Sequence, residues 1–263
     1  MKKITATLIL LLTTTISYAK PFMHLKAGFS KPKMDVTGYF KTDGKTYTLD
    51  GTFGLKGTEK THFYIDIGLP ILPNFKFESL PFEHYGKNVV KIPVDTGIFG
   101  IKFSAYDKVT SKVVFNQNND FIIYYDLDFP YINPKLGFAV KFISGYLYAK
   151  AERFNQEERN DVETLLPLLY VGNETNIPFI PFLFDLALDL ELKGIAFYNS
   201  FFLDLKAMGK LKLTTFREIG IIYAGMGYRY WHLVLKKLPD GSESDPEMNI
   251  EWEGTYLELG IEF

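Results

Sequence analysis

Apolar and polar positions alternate along this chain with a period of two. In residues 181–194 (PFLFDLALDLELKG), Phe182, Phe184, Leu186, Leu188, Leu190 and Leu192 share one face, opposite Asp185, Ala187, Asp189, Glu191 and Lys193. That period belongs to β-strands, whose successive side chains point to opposite sides. The template recurs in 201–213, where Leu203, Leu205 and Leu211 oppose Asp204, Lys206, Lys210 and Lys212. It recurs in 120–127, where Phe121, Ile123 and Tyr125 oppose Asp120, Tyr124 and Asp126. In 135–148, Leu136, Phe138, Val140 and Phe142 oppose Lys135 and Lys141. A water-soluble sandwich also alternates. What separates these segments is an apolar face unbroken for the roughly 9–11 residues that a tilted strand needs to cross a bilayer.

Such segments number about ten, near residues 22–30, 60–69, 74–82, 118–128, 135–149, 162–171, 181–194, 199–213, 217–235 and 248–263. The even count fits a bacterial single-chain barrel, and eight or twelve strands would fit that rule as well. The segment around ETLLPLLYVG is the least regular, because Pro167 interrupts it. The pattern predicts an all-β fold: a closed antiparallel transmembrane β-barrel with long external loops and short periplasmic turns. The external connections fall at 31–59, 83–117, 150–161 and 236–247, and the inner ones include LPILPN and DFPYIN. Segment 83–117 is long enough to carry its own hairpin, with GIFGIKFSA and KVVFN as arms.

The opening of the chain changes the picture. Lys2 and Lys3 precede an apolar stretch to Ile16, and Ser17-Tyr18-Ala19 offers small residues for cleavage. This is the pattern of a signal peptide over 1–19, leaving 20–263 as a single barrel domain. With Lys2 and Lys3 gone, 27 of the 29 basic residues face 31 acidic ones, a net charge of −4 that argues against nucleic acid as a partner. Cysteine is absent, which excludes thiol chemistry and a disulfide scaffold. No apolar run after Ala19 reaches the ~18 residues of a membrane helix. Export, alternation and an aromatic content of 16% together point to the bacterial outer membrane.

The closing stretch TYLELGIEF continues the alternation to Phe263. Tyr256, Leu257, Leu259, Ile261 and Phe263 form the kind of C-terminal strand read by the barrel assembly machinery. Expected partners are therefore that machinery and periplasmic chaperones during biogenesis, then outer-membrane lipids including lipopolysaccharide, around a monomer. Tyr146, Tyr148, Tyr228 and Tyr230 suit an external aromatic girdle.

Candidate chemistry is sparse. The histidines are His24, His62, His84 and His232. His24 and His62 fall inward, His84 starts a loop, and His232 lies at the outer interface. None stands beside a serine in a recognisable motif, so no catalytic residue is assigned. No cofactor is expected, and no metal motif appears, since there is neither His-x₃-His nor Cys. The inward charges stand out, among them Asp66, Asp126, Lys141, Asp185, Asp189, Glu191, Lys206, Arg229 and Glu258. One dominant sign would indicate ion selectivity. Mixed signs indicate pairing that fills a narrow interior.

Several motifs resemble a family of Gram-negative outer-membrane β-barrel proteins of unassigned activity. They are the turn Pro70-Ile71-Leu72-Pro73-Asn74, the strand Tyr124-Tyr125-Asp126-Leu127, Gly227-Tyr228-Arg229 and Phe263. The chain departs from that pattern at Asp66-Ile67-Gly68, where the family has an acid, His and Pro, and at Asp128-Phe129-Pro130, where it has Leu-Asp-Asn. The resemblance implies location and fold, and no reaction. The expected role is structural or surface-interacting; a narrow pore or lateral path for small or apolar solutes is the alternative, and a rim-located lipid-modifying enzyme the third.

Overall fold

The computed structural model describes residues 23–263 apart from 43–44, 58, 92–93, 97–100, 128, 130, 154–155, 181–182, 198–199, 214–219 and 237–246. The expected signal peptide at 1–19 and most of the polar 236–247 connection thus lie outside the described residues. Among the described residues the regular elements are all strands. They open with β1 (His24–Ser30), β2 (Lys33–Thr42), β3 (Lys45–Thr48), β4 (Leu55–Gly57) and β5 (His62–Gly68). Next come β6 (Asn74–Ser79), β7 (Phe82–Val89), β8 (Val94–Thr96), β9 (Ile101–Phe103) and β10 (Lys108–Asp126). The chain continues through β11 (Ile132–Ala151), β12 (Gln156–Ile180) and β13 (Phe184–Phe197). It finishes with β14 (Ser200–Leu213), β15 (Ile221–Leu235) and β16 (Glu247–Glu262).

Ten strands close the barrel, in the order β1, β5, β6, β10, β11, β12, β13, β14, β15 and β16, with β16 returning to β1. Every ladder is antiparallel, and Lys26 opposite Glu262 belongs to the closing one. Closure pairs the backbone within the wall, which is what hydrocarbon demands. The shorter strands continue the wall outward. Ser30 faces Glu258 and Lys33 faces Thr255 in one register, so β1 and β2 are one strand broken near Pro32, which has no amide hydrogen to give. Likewise β7 extends β6 along β10, and β4 pairs with β7.

The apolar faces point out. Leu188 is 46% exposed while its neighbour Asp189 is 3% exposed, and Leu186, Leu190, Phe121, Phe138, Leu257 and Leu259 also lie bare. Around a closed barrel this is a lipid-facing belt, and the molecule is an outer-membrane-type transmembrane barrel. Above the belt the outward face turns polar and aromatic. On β7 it carries Glu83, Tyr85 and Lys87. The Arg159 guanidinium stands 4.1 Å from the Tyr146 ring centre, and Lys112 stands 5.0 Å from that of Tyr85 and 5.8 Å from that of Tyr148. Cation–aromatic pairs of this kind suit an interfacial girdle.

Three expectations need correction. KVVFN is not a loop hairpin arm but part of β10, which runs 19 residues. A bulge between Val114 and Gln117 shifts the alternation, so the two halves of that strand read as separate segments. The segment that faces β9 is instead Val94–Thr96. The connection at 150–161 is mostly strand, since β12 starts at Gln156 and spans 25 residues through Pro167. His84 lies within β7, buried, rather than at the start of a loop.

The wall is uneven in height. β10, β11 and β12 rise together to the level of Val109, Ala151 and Gln156. The β13–β14 hairpin ends at Phe197 opposite Ser200. The β12–β13 ladder stops at Leu169 opposite Gly194. Among the described residues, β12 from 156 to 168 is therefore laddered to β11 alone. Pro167 sits in this edge stretch, where a residue without an N–H is tolerated.

Candidate functional site

The interior holds two layers of opposite chemistry. The layer at the level of the belt is built from inward side chains of alternate strand positions, most of them charged, interleaved with tyrosines such as Tyr64, Tyr124, Tyr170 and Tyr223. Glu78 accepts hydrogen bonds from Arg229 Nη1 at 2.8 Å, Lys193 Nζ at 2.7 Å and His62 Nε2 at 2.9 Å. Arg229 also forks onto Asp204, Nε at 2.9 Å and Nη2 at 2.7 Å. Lys193 lies 3.0 Å from Asp204 and bonds Asp120, which Lys141 reaches at 2.6 Å. This one network ties β5, β6, β10, β11, β13, β14 and β15 across the lumen.

Further pairs continue towards the end that holds Met23 and Phe263. Lys76 meets Glu191 at 2.6 Å, Lys210 meets Asp189 at 2.9 Å, and Lys26 meets Glu174 at 3.0 Å. Tyr124 Oη donates to both Asp66 oxygens at 2.7 Å, and Tyr223 donates to Glu258 at 2.9 Å. Lys206 stands 3.6 Å from Glu258 and 5.0 Å from the Tyr64 ring centre. Asn74 Nδ2 donates to Asp126 at 2.8 Å, while Asp185 is only half-buried. Buried charges of this kind persist when each is paired and hydrogen-bonded. The nine lumen residues singled out in the sequence thus line one interior. Its hub residues Glu78, Asp120, Lys193 and Asp204 read in the sequence only as members of the inward set.

One detail of this layer escaped the sequence reading. Ser30 Oγ lies 2.8 Å from His62 Nδ1, and His62 Nε2 lies 2.9 Å from Glu78. Ser30 and His62 are facing positions of the β1–β5 ladder, separated by 32 residues, so spacing hid the pair. The order serine, histidine, carboxylate is that of a hydrolase relay. Here all three are buried, and Glu78 is also held by Arg229. Among the described residues no group of three or more His, Asp or Glu side chains is placed to hold a metal ion.

The second layer lies above Arg229 and is apolar. Phe82, Phe202, Trp231 and Trp252 pack edge to face or stacked, with Trp231 ring-centre distances of 4.9 Å to Phe82, 5.0 Å to Phe202 and 4.9 Å to Trp252. Lys141 Nζ sits 5.0 Å from the Trp231 ring centre, so this aromatic sheet lies directly on the charged network. Trp252 Nε1 donates to His84 Nε2 at 3.0 Å. Burial drives His84 down to a pKa of about 4, and its acceptor role fits the neutral ring.

Above the aromatic sheet a chamber of about 310 Å³ opens, lined on the inward face by Val36, Phe115, Ile143, Leu166, Leu233 and Ile250 with their neighbours. Sequence reasoning expected paired charge throughout the lumen, and for this half that expectation is wrong. The signal was present: Trp231, Leu233 and Leu235 share the face of Arg229 along β15, and Phe202 shares that of Asp204 along β14.

The residues of the expected insertion signal all lie on β16 or just past it. Leu257 and Leu259 face outward, Tyr256 is buried inside, and Phe263 is exposed at the margin. Phe263 exchanges backbone hydrogen bonds with Leu25, N–H to O at 2.8 Å and 3.1 Å. Of the motif residues, Gly227 leaves room for the Tyr256 ring, Tyr228 points out and Arg229 points in. Asn74 Oδ1 accepts the Leu69 amide across the Pro70–Pro73 turn at 3.0 Å.

No family model and no curated protein matches this chain. Solved structures do resemble it. The outer-membrane protease OmpT of Escherichia coli is 10% identical with a TM-score of 0.48, covering 91% of this chain and 96% of its own. The translocator domain of the autotransporter NalP of Neisseria meningitidis is 9% identical with a TM-score of 0.43, covering 100% of this chain and 95% of its own. The attachment invasion locus protein Ail of Yersinia pestis is 10% identical with a TM-score of 0.27, covering 92% of this chain and 97% of its own.

Proposed function

We propose that this protein is a non-conducting outer-membrane barrel with a structural and surface-interacting role. The observation that carries the reading is the network centred on Glu78, Arg229, Lys193 and Asp204, which bridges the lumen from wall to wall. Removing one member would strand an unpaired buried charge, which argues against a lining adapted to passing ions. Outside, the tall β10–β12 wall presents Tyr146, Tyr148, Lys112 and Arg159 at the level of lipid headgroups, where lipopolysaccharide phosphates would meet the two cations. In planar bilayers the purified protein should show no steady porin-like conductance. Large, stable steps that disappear in Lys141→Ala or Arg229→Ala would overturn this reading in favour of a pore.

A hydrolase reading has one observation behind it, the Ser30–His62–Glu78 relay. Ser30 is buried, and it does not line the apolar chamber. We therefore read the relay as a cross-strand link. A serine-directed fluorophosphonate should leave Ser30 unlabelled in native membranes; labelling abolished by Ser30→Ala would favour the enzyme.

A further inference from the structure

We propose that the apolar chamber takes up the chain of a single-tailed carboxylic amphiphile, entering sideways from the membrane through a notch in the wall between β12 and the β13–β14 hairpin. The chamber volume, about 310 Å³, is about twice that of an engineered apolar cavity of ~150 Å³ that stays dry and binds benzene, leaving room for about a dozen carbon atoms. Its floor is shut, because Trp231 and Phe202 rest on Lys141 and the charged network. Its wall is not continuous. Beyond Leu169 opposite Gly194 the β12–β13 ladder ends, and β12 runs on with one neighbour.

The residues beside this break show where it opens. Val162, Thr164 and Leu166 of β12 line the chamber yet are only half-buried. Between them Glu163 and Leu165 point outward, and Leu165, 61% exposed, marks the upper edge of the lipid-facing surface here. Across the break, Ile195 and Phe197 are exposed apolar side chains. The membrane side of the notch is thus bordered by Leu165, Ile195 and Phe197, which favour hydrocarbon over water, with Glu163 at its upper end, and it joins the belt to the chamber. A single acyl tail crosses such a gap without exposing apolar surface to water.

One side chain of the lining, Trp231, bears on the head. Trp231 is 2% exposed, and its Nε1–H finds no acceptor among the described residues. A buried donor without a partner is a liability, and a small turn of the indole towards the chamber would let a carbonyl or carboxyl oxygen remove it. Thr164 is the other polar side chain of the lining. A hydrocarbon with no oxygen would leave the indole N–H unanswered.

The chain contains two tryptophans, Trp231 and Trp252, and both line the chamber, so intrinsic fluorescence reports occupancy directly. Protein in unlabelled phospholipid vesicles is titrated with 11-bromoundecanoic acid, whose bromine quenches indole at contact. Saturable quenching is expected, reduced at least fivefold in Leu233→Phe/Ile250→Phe, which fills the chamber, and unchanged in the outward control Leu257→Phe. Leu233→Phe alone serves where the double variant does not fold. Quenching that is absent, or that rises linearly with acid and ignores chamber filling, would overturn the proposal.

The route has its own test. Leu168 and Ile195 are the next facing positions beyond the last pair, and the chain has no native cysteine to interfere. Leu168→Cys/Ile195→Cys, joined by a disulfide or a short bis-maleimide, should slow the onset of quenching at least tenfold. Reduction of the disulfide should restore it. Equal onset in the joined and open forms would refute lateral entry. Because a conducting lumen would leave these results untouched, this inference and the non-conducting reading fail separately.

Discussion

The two halves of the lumen are enclosed by the same strands and carry opposite chemistry. At belt level the inward face is dominated by charges paired with a neighbouring or facing strand, with tyrosines such as Tyr124 and Tyr223 among them; above Arg229 the same face carries Trp231, Leu233 and Leu235. Solvation accounts for the contrast. A charge inside the belt cannot be hydrated from outside, so it survives only when paired, and a filled network results. Where the wall rises past the belt, apolar side chains can pack imperfectly at little expense, and a chamber remains. The lower half is specified by geometry, the upper half by composition.

The contrast is broken most directly at its hub. Arg229→Ala removes one of the two cations shared by Glu78 and Asp204, and should lower the free energy of unfolding from vesicles by ~3–5 kcal/mol. Ile250→Val in the chamber wall should lower it by only ~1 kcal/mol, since a single methylene is lost. Equal losses in urea titrations of the two would mean that the halves do not differ in how they hold the fold.

The belt sets the next largest effect. Leu188→Arg places a cation on the lipid face and should destabilise by ~2–4 kcal/mol if it lies near the midplane. A loss below 1 kcal/mol in the same titration would move β13 out of the hydrocarbon. The distinction from Arg229 is instructive, because one cation is fatal facing out and another is required facing in.

In the upper half a pH effect should appear. His84 sits above the belt, and burial holds its pKa near 4 against an ordinary 6.5. The unfolded chain therefore takes up a proton between pH 6.5 and 4 that the folded chain refuses. Stability from this group is complete above pH 6.5 and declines as pH falls towards 4, by up to about 3 kcal/mol. Unfolding followed at pH 7.5 and 4.5 should show this decline, and His84→Phe should flatten it. An unchanged slope in the variant would assign the acid sensitivity elsewhere.

The smallest equilibrium effect belongs to Phe263. Its ring is exposed at the barrel margin, so Phe263→Ala should alter stability by only a few tenths of a kcal/mol. If the closing strand is read during insertion, the same change should nevertheless cut outer-membrane levels sharply in cells. Normal levels by fractionation would remove the insertion role from this residue.

Much of the barrel was legible because lipid and lumen impose a period of two. In 181–194 and 201–213 the facing of each described residue follows from parity alone. The reading stopped at the bulge between Val114 and Gln117 and at the polar stretch 156–161, where no apolar face marks the period, and there stretches of β10 and β12 were assigned to loops. The charged layer was visible as a set of residue types, yet its pairing was not, since Glu78 meets Arg229 across 151 positions of sequence. The chamber was missed for a different reason: attention to ionisable residues ended the inward list at Arg229, although Trp231 and Leu233 continue it.

The closing ladder also bears on how the molecule comes to exist. Lys26 pairs with Glu262, and Leu25 with Phe263, so the first and last strands must find one another across nearly the whole chain. Closing so long a loop is entropically the least favourable contact in the sheet, whereas each hairpin between can form locally. The sheet should accordingly assemble as a curled ribbon whose two free edges meet last. Until they do, both edges expose unpaired backbone, and such a ribbon is stable neither in water nor in lipid. Zipping β1 to β16 is then the step that commits the chain to the membrane, and the time spent before it is when proteases compete.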